Sequence, residues 1–224
     1  MADKIIVLDF GSQYNQLIAR RIREYGVYSE LHPHTMTLEE IKALGDVKGI
    51  VFSGGPNSVY AEDAPKCDPA IYTSGIPILG ICYGMQMIQH DLGGTVSASD
   101  KKEYGRTEID VVKPNLLFEG TPDKQTVWMS HGDQVTKLAD GFEVIASSQT
   151  CPYAARQNVE KKIYTLQFHP EVRHSEYGND LLKNFVFNIA KAENNWTMHD
   201  FIDVQKKLIK EKVGDDKVLL GLSG

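Results

Sequence analysis

Short apolar runs alternate with amphipathic stretches over about the first 90 residues of the chain. Runs of strand length occupy residues 4–10, 27–32, 49–53 and 76–81. Apolar residues recur at helical spacing in 15–25 and 84–92, and Thr37 with Glu40 predicts a capping box for a short helix between the second and third runs. This alternation predicts a mostly parallel sheet covered by helices on both faces.

After Thr95 the pattern changes to strands joined by turns. Runs at 107–112, 126–130, 143–147, 153–157 and 162–169 predict an antiparallel portion, followed by a helix over 179–192. The chain as a whole is therefore predicted to be an α/β protein. Its central sheet would be mixed but mostly parallel, flanked by helices, with an added antiparallel portion.

A domain boundary is predicted at 194–195. Beyond it, Thr197 and Asp200 cap a predicted helix, Gly214 ends that helix, and an apolar strand is expected over 217–222. The lysines on this helix are most simply a solvated face. We therefore expect one domain over 1–193, and over 194–224 a linker helix and the first strand of a second, truncated domain.

Composition excludes several classes of function. The sequence has 24 Lys and Arg against 30 Asp and Glu, a formal charge of −6, which argues against a nucleic-acid binder that uses a basic surface. No apolar run approaches the roughly 20 residues of a membrane-spanning helix, and no leader precedes Ile5, so we expect a cytoplasmic protein. The three cysteines are widely spaced without a C-x-x-C pair, which leaves free thiols and predicts no metal site.

One of these thiols, Cys82, lies where an apolar strand ends and a helix begins. Gly80 and Gly84 flank it in a G-x-C-x-G pattern, the thiol counterpart of the serine nucleophile elbow. A cysteine at a helix N-terminus faces the positive end of the helix dipole, which favours the thiolate. The pattern predicts a nucleophile, and a buried structural cysteine is the alternative.

A base for this nucleophile is predicted in QFHPEV, after the apolar strand that ends near Leu166. His169 and Glu171 are two residues apart, so in extended backbone their side chains lie on one side. A carboxylate held against one imidazole nitrogen leaves the other for the thiol, as in an acid–base–nucleophile triad. We expect the other six of the seven histidines to lack such a neighbour.

Two more polar segments follow predicted strands. SGGP at 53–56 carries Gly54 and Gly55, whose backbone amides can turn outward to receive an oxyanion, although SGGP is also a common turn. WMSHGD at 128–133 ends in Asp133, which can receive a substrate ammonium group. The carboxyl ends of parallel strands share one edge of a sheet, where ligands normally bind.

The motifs GICYGMQ, SGGP and FHPE, in this order and spacing, resemble those of the class I (triad-type) glutamine amidotransferases. The resemblance covers about residues 4–192 and implies a flavodoxin-like fold and hydrolysis of L-glutamine. It implies Cys82 as the nucleophile, His169 as the base and acid, and Glu171 as its orienter. It further implies an oxyanion hole formed by the backbone amides of Gly55 and Tyr83. Contacts to the substrate glutamine would come from Gly54, Gln86, Ser130 and Asp133.

DFGSQY at 9–14 and WMSHGD look like one branch of this family, in which the amidotransferase precedes a synthetase half. The terminal KVLLGLSG is similar to the entry to that half's ATP pyrophosphatase loop, S-G-G-x-D-S, of which only Ser223 and Gly224 are present. The resemblance implies a full-length homodimer that uses ATP, Mg and XMP. Residues 1–224 alone would need no cofactor and bind no ATP.

Three other functions remain open from the sequence. The chain could be the amidotransferase half of an enzyme of anthranilate, carbamoyl phosphate or CTP synthesis. It could be a γ-glutamyl peptidase with the same elbow, which would cleave glutamyl peptides faster than glutamine. A glutamine-sensing module without catalysis would have a decayed triad, whereas all three triad residues are present here.

Overall fold

One mixed sheet runs through the described part of the chain. Its strands are β1 (Lys4–Asp9), β2 (Tyr28–Pro33), β3 (Val47–Phe52), β4 (Ile78–Ile81), β5 (Thr95–Val111), β6 (Lys124–Lys137), β7 (Glu143–Ser147), β8 (Ala155–Asn158) and β9 (Ile163–Leu166). Their spatial order is β2-β1-β3-β4-β9-β8-β7-β5-β6. The strands from β2 to β9 pair in parallel, and those from β9 to β6 pair antiparallel. The predicted fold class is confirmed.

This computed structural model describes residues 2–219 and 221, and of residues 100, 101, 200, 201 and 204 only the backbone. The positions predicted to begin an ATP loop, Ser223 and Gly224, lie outside the described residues. The predicted terminal strand is wrong over 217–219, which form no strand. Val218 and Leu219 are 68% and 98% exposed, so this apolar run is not packed against the described sheet.

Helices cover both faces of the sheet. They are α1 (Asn15–Glu24), α2 (Leu38–Ala43), α3 (Tyr83–Asp91), α4 (Gly178–Lys183) and α5 (Met198–Val213). One face packs α1 and α4 in a core that includes Ile18, Ile22 and Leu181, and the other packs α2 and α3. The predicted capping box of α2 is present. No helix in the described part of the chain is long and apolar enough to span a membrane.

The helix predicted over 179–192 differs from the observed one. After α4 the chain widens into π-helical turns over Asn184–Ile189. The wider turns keep Phe185, Val186 and Ile189 in the core, and the Asn184 side chain donates hydrogen bonds to the carbonyls of Leu117 and Glu119. Packing of these side chains decides the local geometry, which apolar periodicity does not predict.

The predicted domain boundary at 194–195 lies on a segment that packs against β2 and the residues beside it. Trp196 is buried, its ring lies 5.8 Å from that of Tyr28, and its amide donates to the carbonyl of Gly26. The amide of Asp3 donates to the Asn195 side chain. The boundary stays a prediction, and these contacts attach the beginning of the linker to β2 and the residues beside it.

The largest difference from the predicted antiparallel portion is the length of its first two strands. They were expected over 107–112 and 126–130, but β5 and β6 form a long hairpin over Thr95–Val111 and Lys124–Lys137. The register shifts between Ala98 and Glu103, so that four residues of β5 lie opposite one of β6. Residues 95–106 are mostly polar and one side of the hairpin is solvated, so their sequence carries little apolar signal.

The carboxyl ends of β1, β3, β4 and β9 meet at one edge of the sheet, because these strands are parallel neighbours. Three of the candidate motifs leave from this edge, whereas WMSHGD, which was predicted to follow a strand, lies inside β6 because that strand is longer than predicted. SGGP follows β3, Cys82 follows β4, and FHPE comes after β9. The topology therefore collects residues from separate parts of the sequence at one place.

Candidate active site

Cys82 occupies a sharp turn between β4 and α3. Its φ of 49° and ψ of −106° lie in a region that non-glycine residues rarely adopt. The turn is fixed on both sides, because the Cys82 amide donates to the carbonyl of Leu166 (2.8 Å) and the Gly84 amide to that of Ser53 (3.1 Å). A strained residue of this kind at a strand–helix junction is typical of a functional position.

The two glycines that flank Cys82 are required by close packing. A Cβ at Gly80 would lie 2.6 Å from Ile88 Cδ1 and 3.0 Å from the Met85 backbone. A Cβ at Gly84 would lie 2.6 Å from the carbonyl oxygen of Phe52. The G-x-C-x-G pattern therefore reflects space that only glycine leaves, as the elbow interpretation expects.

The buried imidazole of His169 lies beside both other candidate triad residues. Its Nδ1 is 2.8 Å from Glu171 Oε1, and the ring also interacts with the Cys82 sulfur. Burial opposes the charged ring, but the Glu171 carboxylate and the Cys82 sulfur outweigh it and raise the pKa of His169 well above its usual value. Two hydrogen bonds hold the His169 backbone. The His169 amide donates to the Trp128 carbonyl, and Ser175 Oγ donates to the His169 carbonyl (2.6 Å).

The other two cysteines have no comparable setting. Cys67 and Cys151 are both free and buried. Burial raises the pKa of the Cys67 thiol to about 12 and that of Cys151 to about 11. Both thiols are therefore protonated at neutral pH, and neither lines the cavity that Cys82 faces.

Backbone amides of two elements meet beside Cys82. Gly54 and Gly55 follow β3, and Tyr83 begins α3. In the described part of the chain, the amides of Gly55 and Tyr83 donate no backbone hydrogen bond. A Cβ at Gly55 would lie 2.3 Å from the carbonyl oxygen of Phe10, so this loop requires glycine. Two such amides are the donors that an oxyanion hole needs.

A cavity of about 660 Å³ opens above Cys82. Asp133 and Ser130 line one wall, and the Ser130 carbonyl accepts a hydrogen bond from the Cys82 thiol at 3.6 Å. Gln86 also lines the cavity, and its Nε2 donates to the Asp133 carbonyl at 2.8 Å. The structure thus brings together the residues for which the sequence predicted glutamine contacts.

The family model described as "Glutamine amidotransferase class-I" matches residues 6–189. The chain belongs to the class-I glutamine amidotransferase family. Two curated relatives carry the name "GMP synthase [glutamine-hydrolyzing]". That of Lactobacillus gasseri is 64% identical over 223 residues, 99% of this chain and 43% of the relative. That of Geobacillus kaustophilus is 61% identical over 222 residues, with the same coverage. The chain spans less than half the length of these relatives.

Solved structures agree with this assignment. A Thermoplasma acidophilum protein, provisionally described as one subunit of a GMP synthase, superposes with a TM-score of 0.73 at 32% identity, covering 92% of this chain and 98% of that one. A glutamine amidotransferase of Thermotoga maritima superposes with a TM-score of 0.63 at 21% identity, covering 96% of this chain and 87% of that one. The second likeness concerns the fold alone.

Four residues to which the sequence analysis gave no role also lie in or beside the cavity. The Asp133 carboxylate accepts hydrogen bonds from Ser58 and from Tyr60 (2.8 Å). Tyr14 packs its ring edge-on against His169, with 5.6 Å between ring centroids, and Gln167 Nε2 lies 3.9 Å from the Cys82 sulfur. Tyr14 and Gln167 follow β1 and β9, so strand-end position is the signal that could have found them.

One expectation about histidines is wrong. His131 is buried and its Nε2 lies 2.9 Å from Glu103 Oε2, so a histidine other than His169 also has a carboxylate neighbour in the amidotransferase domain. The two residues are directly opposite each other in the β5–β6 register. This pairing could not be read from the sequence, because β5 was not predicted to extend as far as Glu103.

Proposed function

We propose that this chain hydrolyses L-glutamine to glutamate and ammonia through Cys82, His169 and Glu171. The observation that carries the proposal is the buried His169 ring, whose Nδ1 lies 2.8 Å from Glu171 Oε1 and which lines the same cavity as Cys82. A raised imidazole pKa favours a protonated ring beside the thiolate, the form in which a cysteine nucleophile is reactive.

The first half of the reaction forms a thioester. The Cys82 thiolate attacks the side-chain amide carbon of glutamine, and the carbonyl electron pair moves onto oxygen. The amides of Gly55 and Tyr83 would donate to this oxyanion, and loss of one such donor typically costs about 2.7–4 kcal/mol of transition-state stabilisation. As the C–N bond breaks, the His169 imidazolium gives its proton to the leaving nitrogen, which departs as ammonia.

The second half releases glutamate. Neutral His169 takes a proton from a water molecule, whose oxygen attacks the thioester carbon. The C–S bond then breaks and Cys82 leaves as the thiolate, restoring the starting protonation states. Glu171 exchanges no proton with the substrate. It holds the imidazole in place and stabilises its charged form, as the 2.8 Å contact to Nδ1 supports.

The cavity wall offers groups for the rest of the substrate. The Asp133 carboxylate, oriented by Ser58 and Tyr60, would receive the ammonium group of glutamine. Gln86 and Ser130, which line the cavity, would contact the remainder of the molecule, and we propose the same for the Gly54 backbone beside them. A carboxylate that already accepts two hydrogen bonds is held in one orientation, which favours a substrate with a fixed cationic group over one without it.

In the full-length protein we propose that this ammonia aminates XMP. ATP with Mg would adenylylate XMP, and ammonia would displace AMP to give GMP, with pyrophosphate released in the first step. The names of relatives 59–64% identical to this chain support the assignment. ATP, Mg and XMP would bind in a second domain. We propose domains over 1–193 and 194–224 of this chain, the latter a linker helix and the start of that second domain.

Coupling between the two halves is testable. Ammonia lost to solvent is largely protonated, so a freely running glutaminase would waste glutamine. Coupling free energies are typically about 1–3 kcal/mol, which corresponds to roughly 5- to 150-fold in activity. We expect residues 1–224 to hydrolyse glutamine slowly without response to ATP plus XMP, and the full-length protein to be strongly stimulated by both.

A cytoplasmic location and a full-length homodimer also stay predictions.

The measurement compares ammonia release by the two proteins with and without nucleotides. Stimulation of residues 1–224 alone would reveal a nucleotide site in this chain and contradict the division of labour. A full-length protein that aminates anthranilate or carbamoyl phosphate precursors, or UTP, instead of XMP would overturn the acceptor. Faster cleavage of γ-glutamyl peptides than of glutamine would overturn the glutaminase itself.

A further inference from the structure

A second buried carboxylate–imidazole pair lies behind the wall of the glutamine pocket. We propose that Glu103 and His131 are positioning residues that hold the Asp133 carbonyl, and with it the pocket wall, in register with the nucleophile helix α3. The proposal rests on the glutaminase function proposed above. It assigns no proton transfer to either residue.

The β5–β6 hairpin places this pair. Glu103 and His131 face each other directly across the two strands, immediately after the register shift that begins at Ala98. An irregularity of this kind re-aims the side chains beside it. The result is that the side chains of Glu103 and His131 are 8% and 1% exposed, although His131 lines the cavity together with the next residues of β6, Gly132 and Asp133.

The imidazole of His131 is connected at both nitrogens. Nδ1 lies 2.9 Å from the Asp133 carbonyl oxygen, which can only accept, so Nδ1 carries a hydrogen. Nε2 lies 2.9 Å from Glu103 Oε2, and the other carboxylate oxygen of Glu103 accepts from the Thr150 hydroxyl. The ring orientation is thereby fixed by groups on three segments of the chain.

The Asp133 carbonyl is the point where this pair reaches the catalytic site. It accepts from His131 Nδ1 and, at 2.8 Å, from Gln86 Nε2. Gln86 lies on the first turn of α3, and its backbone N–H donates to the Cys82 carbonyl at 3.0 Å. One carbonyl therefore joins β6 to the helix that carries the nucleophile. Loss of the His131 donor would let the Asp133 backbone move relative to Cys82.

A metal ion is the main competing explanation for the cluster. Glu103, His131 and Cys151 offer ligand atoms that all lie within 4.8 Å of one another. However, the 2.9 Å between Nε2 and Oε2 is shorter than the roughly 3.3 Å edge of a zinc tetrahedron with ligands near 2.0–2.1 Å. Arg156, which is fully buried, also places its positive charge near Cys151. These distances and charges favour a direct carboxylate–imidazole contact over a metal site.

Two substitutions at His131 separate its two contacts. In His131→Asn the side-chain nitrogen can take the place of Nδ1 and still donate to the Asp133 carbonyl, but it cannot reach Glu103. In His131→Gln the longer amide can take the place of Nε2 and reach Glu103, but it loses the contact to Asp133. The two variants remove the same ring and are matched controls for each other.

We expect His131→Gln to raise the KM for glutamine about 5- to 100-fold, with kcat changed less than about threefold. For His131→Asn we expect a KM within about threefold of that of the unsubstituted chain. Equal KM values for the two variants would overturn the proposal, since a structural role of the ring alone would not distinguish them. If neither variant folds, two substitutions at Glu103 provide the same comparison. Glu103→Gln keeps a polar side chain beside Nε2 and Glu103→Leu does not, so the KM increase is expected for Glu103→Leu only.

Alkylation of Cys82 gives a readout that does not depend on turnover. A chloroketone analogue of glutamine, which carries the ammonium group, should label Cys82 of His131→Gln more slowly by the same factor as the change in KM. Iodoacetamide, which lacks that group, should label it at an unchanged rate. Slowing by both reagents alike would overturn the positioning role. Absence of Cys82 labelling in the unsubstituted chain would instead contradict the proposed function.

Metal analysis completes the test. After incubation with zinc and desalting, we expect no stoichiometric metal in the protein. One equivalent of zinc that disappears in Cys151→Ala would overturn the positioning proposal in favour of a metal site.

Discussion

Two carboxylate–imidazole pairs of the same chemical composition lie close together in this molecule and differ in what else the ring contacts. The His169–Glu171 pair, joined at 2.8 Å, interacts with a cysteine sulfur that faces the cavity. The His131–Glu103 pair, joined at 2.9 Å, contacts a backbone carbonyl. A sulfur can exchange a proton with the ring, whereas a carbonyl can only accept a hydrogen bond from it.

The two rings also differ in the direction of their pKa shift. Burial lowers the pKa of both, but at His169 the Glu171 carboxylate and the Cys82 sulfur outweigh burial and raise it. At His131 burial is the larger effect and lowers the pKa in spite of the Glu103 carboxylate. Residue types alone therefore do not identify a catalytic dyad, because the third contact of the imidazole ring decides its chemistry.

The largest difference between the two clusters is expected at their cysteines. Cys82→Ala should lower glutamine hydrolysis at least about 10⁴-fold, since the covalent intermediate cannot form. Cys151→Ala, which removes a protonated buried thiol, should lower it less than about threefold. Ammonia release from both variants, with thermal unfolding as a control for folding, makes the comparison. Residual activity above about a hundredth in Cys82→Ala would remove Cys82 as the nucleophile.

The second difference is expected at the imidazoles. His169→Ala removes the group assigned both proton transfers and should lower kcat about 10²- to 10⁴-fold. The positioning histidine should instead affect KM, as argued for His131→Gln. An exposed histidine variant, His90→Ala, is the control. If His169→Ala changed KM alone, the two rings would have the same role and the comparison would fail.

The parallel half of the fold was predictable because its strands, apart from the edge strand β2, are largely buried and appear as short apolar runs. The end of β5 nearest the active site was not, because residues 95–106 are mostly polar and half-solvated. The register shift after Ala98 depends on pairing with β6, which no local signal in the sequence specifies.

The candidate site divides in the same way. Cys82 and its two flanking glycines form a local sequence pattern that predicts a tight turn. His169 and Glu171 are near neighbours along the chain, so their pairing could also be predicted. Glu103 and His131 are brought together only by the hairpin register, and Tyr60 and Asp133 only by the approach of the loop after β3 to β6. Their side chains could be identified as partners only once the tertiary structure was known.

A smaller and more specific effect is expected at the carboxylate of the catalytic pair. Glu171→Gln keeps a hydrogen-bond acceptor for His169 but removes the negative charge that raises the pKa of the ring. The imidazolium should therefore lose its proton at lower pH, and the alkaline limb of the kcat/KM profile should move to lower pH. Turnover should fall about 10- to 100-fold at neutral pH. An alkaline limb that stays in place would show that it does not report His169.

The smallest effects are expected from added methyl groups beside the two pairs. A Cβ at Gly54 would lie 3.0 Å from His169 Cε1 and 3.6 Å from Cys82 Cβ, so Gly54→Ala must displace the ring by a few tenths of an ångström. A Cβ at Gly132, beside the second pair, would meet nothing closer than Tyr104 Oη at 3.7 Å, an ordinary contact.

Because misplacement of a reacting group by about 1 Å can cost roughly 100-fold, the smaller displacement in Gly54→Ala should lower kcat about tenfold. Gly132→Ala should lower it less than about threefold, as no catalytic group has to move. Steady-state kinetics of the two alanine variants provide the measurement, with circular dichroism to show that both fold. A larger loss of kcat in Gly132→Ala than in Gly54→Ala would contradict this prediction. It would show that the pocket wall beside Asp133 tolerates less displacement than the catalytic His169 ring.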